Sequence, residues 1–249
     1  MTQPRTRAVL GAYAAVGIVQ VTAVGVDADV LAGALQVLLM PVLAGALLVE
    51  RPAERSRLVR LTAAALGASW LGDSAPRLLD GDAAFIVMVA FFLVAQGCYI
   101  AAFRPYRDES ILRGRPGWLA AYVVVTLALV GACLPEAGGL APAVVVYGAA
   151  LGTMAVLATG VHPLAWVGGA FFLVSDGLIA IEAFSSLELP AHSVWVMATY
   201  VVAQGLLVLG VIRRDEREVP RGSPASSARG SSAAADPSGA TQPPATPAR

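Results

Sequence analysis

Eight runs of predominantly apolar residues, each about twenty long, follow one another along this chain: 8–26, 28–49, 57–76, 83–103, 117–134, 140–159, 163–184 and 191–212. A helix of about 20 residues spans the roughly 30 Å of hydrocarbon in a bilayer. Lipid offers no partner to a backbone N–H or C=O, so a chain with such runs must cross as helices that satisfy their own hydrogen bonds. Composition agrees: 57% of the residues are hydrophobic and 14% charged, against about 25% charged in soluble domains. The pattern predicts an all-α, polytopic membrane protein with eight transmembrane helices. The first run is too long, and too poorly flanked by a cleavage site, to be a removable signal peptide.

Charge placement predicts the topology. All 17 basic residues are arginine. Arg5 and Arg7 precede the first run; Arg51, Arg55, Arg57 and Arg60 fill the second connection; Arg104, Arg107, Arg113 and Arg115 fill the fourth; Arg213, Arg214 and Arg217 follow the eighth. The alternate connections hold only Arg77, together with Asp27, Asp29, Asp80, Asp82, Glu136 and Glu188. Arginine gathers on the cytoplasmic side, which puts both termini in the cytoplasm and requires an even number of crossings. The expected location is the cell membrane, with an acidic outer face. Residues 215–249 are rich in Ser, Pro, Ala and Gly with no apolar period, so the organisation expected is an eight-helix membrane domain over 1–212 and a disordered cytoplasmic tail over 213–249.

Against this apolar background two aspartates stand out. Asp73 lies in the third run and Asp176 in the seventh, and a carboxylate at the centre of a membrane helix costs about 2.5 kcal/mol even on lenient scales. Aligning Leu61–Asp73 with Leu164–Asp176 puts both about 18 Å into an outward-running helix, at 1.5 Å per residue. In each case the returning helix carries the same tetrad, Val94-Ala95-Gln96-Gly97 and Val202-Ala203-Gln204-Gly205. The chain therefore reads as two parallel four-helix repeats, an arrangement that tends to place its site where the units meet.

Helical spacing supplies the neighbours. Ser69 and Trp70 share a face with Asp73, and Phe172 and Ala180 with Asp176; Tyr99 shares one with Gln96, and Tyr200 with Gln204. The glutamines and tyrosines are neutral donors and acceptors suited to a polar pocket or to interhelical bonds. Tyr147 is a further candidate for the pocket. Glu182, six residues past Asp176, is placed on a different face near the interface. His162 and His192 fall at helix ends, and Cys98 and Cys133 read as small packing residues. There is no HExxH, GxxxxGK[ST], GxGxxG or GxSxG pattern, so metalloprotease, nucleotide-binding and elbow-type serine hydrolase readings lack support.

Several stretches resemble the YhhN-like proteins, which include the lysoplasmalogenases: Trp70-Leu71-Gly72-Asp73, Phe92 to Phe103 with Gln96 and Tyr99, Gly169 to Asp176 with Ser175, and Tyr200 to Gln204. The resemblance implies an eight-helix hydrolase that cleaves the vinyl ether bond of a lysophospholipid, giving a fatty aldehyde and a glycerophospho-headgroup. It implies no metal and no organic cofactor. The partners expected are the lysophospholipid and the bilayer, with no nucleic acid. The chain departs from the resemblance at Gln96, where histidine is expected, and in 36–41, where a lysine is expected and none stands.

Vinyl ether hydrolysis needs an acid to protonate carbon, a base for water, and negative charge beside the oxocarbenium ion between them. Two carboxyl groups in a dry site divide such roles, as in the glycosidases. Asp73 and Asp176 are thus the expected catalytic pair, without assignment of acid and base, and Gln96, Tyr99, Tyr200 and Gln204 the expected substrate-binding groups. The competing expectation is a proton-coupled transporter or lipid-binding membrane protein using the same carboxylates.

Overall fold

The computed structural model describes residues 4–50, 55–187 and 189–218. Among these there is no strand. Nine α-helices follow in order: α1 Pro4–Gly25, α2 Asp29–Glu50, α3 Arg57–Ser74, α4 Gly81–Phe103, α5 Ile111–Gly114, α6 Pro116–Cys133, α7 Ala141–Ala158, α8 Pro163–Phe184 and α9 His192–Glu218. The eight long ones coincide with the eight apolar runs to within a few residues, except that α9 continues to Glu218. Residues 213–218, expected in the tail, are therefore helical, and the rest of the expected tail lies outside the described residues.

Of the eight long helices among the described residues, seven are long and apolar enough to cross a membrane; the exception is α3. Its 18 residues include Arg57, Arg60 and Asp73. Many large aliphatic residues point outward, Val30 being 90% exposed, Ile18 68% and Leu127 65%. Gln20, Thr62, Ser69, Gln96, Ser175 and Gln204 are buried. An apolar exterior around buried polar groups is what a lipid solvent selects, and it makes this a multi-pass membrane protein.

Small residues bring the helices close. At Gly168 a Cβ would come within 2.7 Å of the Leu207 nitrogen, and at Gly210 within 2.6 Å of the Ala165 nitrogen, so α8 and α9 pack backbone to backbone. At Gly72 a Cβ would meet the Phe92 ring at 2.8 Å, which seats α4 against α3. Ends are fixed locally. Ser56 caps α3 by accepting from the Val59 N–H, and His162 caps α8 through Nδ1, which accepts from the Leu164 N–H. Helix α3 stops at Ser74 because Pro76 lacks an N–H to continue it, and a 3₁₀ turn over Ala75–Leu78 follows.

The arginine-rich connection between α4 and α6 folds as a 3₁₀ segment, Arg104–Glu109, followed by α5. Arg214 of α9 holds it, with both Nη atoms on Glu109, Nε on Glu218, and the guanidinium over the Tyr106 ring at 4.4 Å.

Candidate functional site

Asp73 lies in the last turn of α3, whereas Asp176 lies eight residues before the end of α8. The two helices end differently, yet both carboxylates are 7% exposed and line one cavity of about 430 Å³. Its wall also includes Gln36 of α2, Phe92 of α4, Ser175 and Glu182 of α8, and Tyr200 of α9. A second chamber of about 260 Å³ adjoins it between α4, α6, α7 and α8, and Phe85, Met88, Phe92, Asp176 and Ile179 form part of both walls. This second space is lined by aliphatic and aromatic side chains, with Asp176 and Tyr147 as its polar groups of note. One polar chamber and one apolar chamber thus meet at Asp176.

Neighbouring helices hold each carboxylate. Tyr200 donates its hydroxyl to Asp73 Oδ2 at 2.8 Å, and Gln36 donates Nε2 to Asp73 Oδ1 at 3.0 Å. Arg77, from the turn after α3, fixes the second of these. A guanidinium only donates, so its Nη2, 2.6 Å from Gln36 Oε1, forces the amide oxygen toward itself and the amide nitrogen toward Asp73. Arg77 Nε also donates to the main-chain oxygen of Asp73. On the other side, Tyr147 of α7 donates its hydroxyl to Asp176 Oδ2.

Behind the cavity wall a buried chain supports Tyr200. Tyr99 donates to Gln204 Oε1 at 2.6 Å, and Gln204 Nε2 faces Ser69 Oγ at 3.2 Å and Tyr200 Oη at 3.4 Å. The rings of Phe92 and Phe172 lock Tyr200 by edge contacts at 5.9 Å. Gln96 occupies the matching place beside Tyr147, fully buried, with its amide short of hydrogen-bond geometry.

A family model described as the YhhN family matches residues 31–211, from α2 through α9. The chain belongs to the YhhN family. No curated protein and no solved structure matched it.

Of the site residues expected in this YhhN chain, Asp73, Asp176 and Tyr200 meet at the cavity. Tyr99, Gln204 and Gln96 do not line it; they are buried behind it. Glu182, placed away from the site by its spacing, lines the cavity and pairs with His192 Nε2 at 3.0 Å. Gln36 and Arg77 were not among the expected site residues. Gln36 does lie at the start of the segment 36–41 where the resemblance expects a lysine, and Arg77 is the one basic residue of the acidic-side connections. Trp70 turns away from the cavity and donates to the Val37 carbonyl, tying α3 to α2. Cys133 is buried with its thiol toward the Ala180 carbonyl. Among the described residues no group of three or more His, Cys, Asp and Glu is placed to hold a metal.

Proposed function

We propose that this YhhN protein is a lysoplasmalogenase-like hydrolase that cleaves the vinyl ether bond of a lysophospholipid, releasing a fatty aldehyde and a glycerophospho-headgroup. The observation that carries this reading is one cavity walled by two buried aspartates and adjoining an apolar chamber. A single-chain amphiphile fits such a pair of spaces, with the alkenyl chain in the apolar chamber and the ether oxygen at the carboxylates. The chain enters sideways from the bilayer. Family membership supports the reaction class, because the YhhN family includes lysoplasmalogenases.

The chemistry needs what the cavity offers. Protonation of the carbon β to oxygen gives an oxocarbenium ion; water adds, and the hemiacetal collapses to aldehyde and alcohol. Asp73 and Asp176 are the catalytic pair. A general acid and a charge that stabilises the cation each lower the barrier, the acid by about 10²–10⁴ in rate. Tyr200 touches substrate and orients Asp73, while Gln204, itself held by Tyr99, positions Tyr200 from behind and Gln96 stands beside Tyr147.

In this reading α3 is the eighth crossing. Its two arginines lie at the end where the other arginines gather, and Asp73 faces inward rather than to lipid. Two four-helix repeats, α1–α4 and α6–α9, then bring one aspartate each to a shared site, and both termini face the cytoplasm of a cell whose membrane holds the protein. The test is incubation of the purified protein with a 1-alkenyl lysophosphatidylethanolamine, with detection of long-chain aldehyde. Release that disappears in Asp73→Asn and in Asp176→Asn is the expected result, and a fully active variant at either position sinks the mechanism.

A further inference from the structure

Building on the hydrolase reading, we infer that the two aspartates have fixed and different roles: Asp176 gives the proton to the vinyl carbon, and Asp73 is the ionised base that activates water. Two independent observations point the same way.

The first is hydrogen bonding. Both oxygens of Asp73 have a donor, Oδ1 the Gln36 amide and Oδ2 the Tyr200 hydroxyl. Arg77 settles the amide, since it leaves Gln36 no alternative but to turn its nitrogen to Asp73. A donor on each oxygen stabilises the carboxylate, and donors of this kind favour the charged form over the protonated one. Asp176 has one donor, Tyr147, on Oδ2. Its Oδ1 has no protein donor among the described residues and is left to carry a proton.

The second is position. Asp176 walls both chambers, whereas Asp73 walls only the polar one. In a 1-alkenyl ether, R–CH=CH–O–R′, the carbon that takes the proton belongs to the chain, one bond further from oxygen than the carbon that water attacks. A chain lying in the apolar chamber presents the first carbon to Asp176 and the second to the polar side, where Asp73 stands.

The cycle closes on these two groups. Asp176 transfers its proton to the β carbon as the C=C π pair forms the C–H bond, leaving an oxocarbenium ion between two carboxylates. Water adds to the α carbon and gives its proton to Asp73. In the collapse, Asp73 returns that proton to the leaving glycerol oxygen as the C–O bond breaks, and Asp176 takes the hydroxyl proton as the aldehyde forms. One water is consumed and both aspartates end as they began.

Infrared spectroscopy of the full chain in membranes reads the proton directly. The wild type should show the carbonyl band of a protonated carboxylic acid, lost in Asp176→Asn and kept in Asp73→Asn. Where an asparagine variant fails to fold, Asp176→Glu should move the band and Asp73→Glu should leave it. No such band in the wild type, or a band that follows Asp73, overturns the assignment. Turnover gives the second readout, with 1-alkenyl lysophosphatidylethanolamine as probe. Azide adds without needing a base, so it should restore consumption of the vinyl ether in Asp73→Asn by about tenfold or more, and leave Asp176→Asn inactive, within the roughly 10²–10⁴ lost with an acid or base. The opposite pattern of rescue also overturns it. A wild type that never consumes the probe removes the hydrolase reading instead, and the infrared band still decides where the proton sits.

Discussion

Tyr147 and Tyr200 each hand one hydroxyl proton to an aspartate from a different helix, and each has a glutamine behind it. A hydrogen bond to a charged partner contributes about 1.5–3 kcal/mol. Tyr200→Phe should therefore slow aldehyde release by about ten- to a hundredfold while the protein stays folded, as steady-state kinetics beside gel filtration in detergent would check. Arg77→Gln frees the Gln36 amide to rotate, and should lower turnover by less than loss of Asp73 itself; an unchanged rate would mean that the amide needs no such fixing. Spacing along one helix set Tyr99 on a face with Gln96, and Gln204 on a face with Tyr200, because 3.6 residues per turn fixes direction. It does not fix distance, and both proved to lie behind the wall. Gln36 was out of reach for a related reason: its partner is on another helix, and the register between helices is written in neither.

At the scale of elements, the long helices were legible because apolar run length answers to bilayer thickness. The stop of α3 was only partly so. Its run was read to residue 76, whereas the helix ends at Ser74, ahead of Pro76. The 3₁₀ segment and α5 between α4 and α6 carry no apolar period and gave no signal. What holds that segment is the clamp of Arg214 on Glu109, which keeps the Glu109 carboxylate below its ordinary range. A carboxylate lowered in the folded state contributes stability above its unfolded value of about 4.3, and that contribution is lost as pH falls through the folded value. Acidification from about pH 5 to below about pH 4 should thus lower the melting temperature of the wild type in detergent more than that of Glu109→Gln. The close approach of α8 and α9 is less forgiving. Gly168→Leu drives a side chain into the Leu207 and Ala203 backbone, and overpacking of this kind costs about 1–3 kcal/mol or more. Thermal unfolding should show that loss, with activity falling because α8 and α9 carry Asp176 and Tyr200.

For the whole molecule, the central claim is that a bundle apolar outside and polar within brings two aspartates from α3 and α8 to one cavity for chemistry, rather than for moving protons or ions. The paired carboxylates were legible in the sequence as an energetic anomaly. Their convergence was not, since it depends on how α2, α4, α7 and α9 pack between them. The most direct measurement is mass spectrometric detection of long-chain aldehyde after purified protein is incubated with a 1-alkenyl lysophosphatidylethanolamine. Stoichiometric aldehyde and glycerophosphoethanolamine from the wild type, and none from Asp73→Asn or Asp176→Asn, is the predicted result. Intact substrate with every variant and the wild type alike, together with proton-coupled uptake in vesicles that depends on the same aspartates, would contradict it.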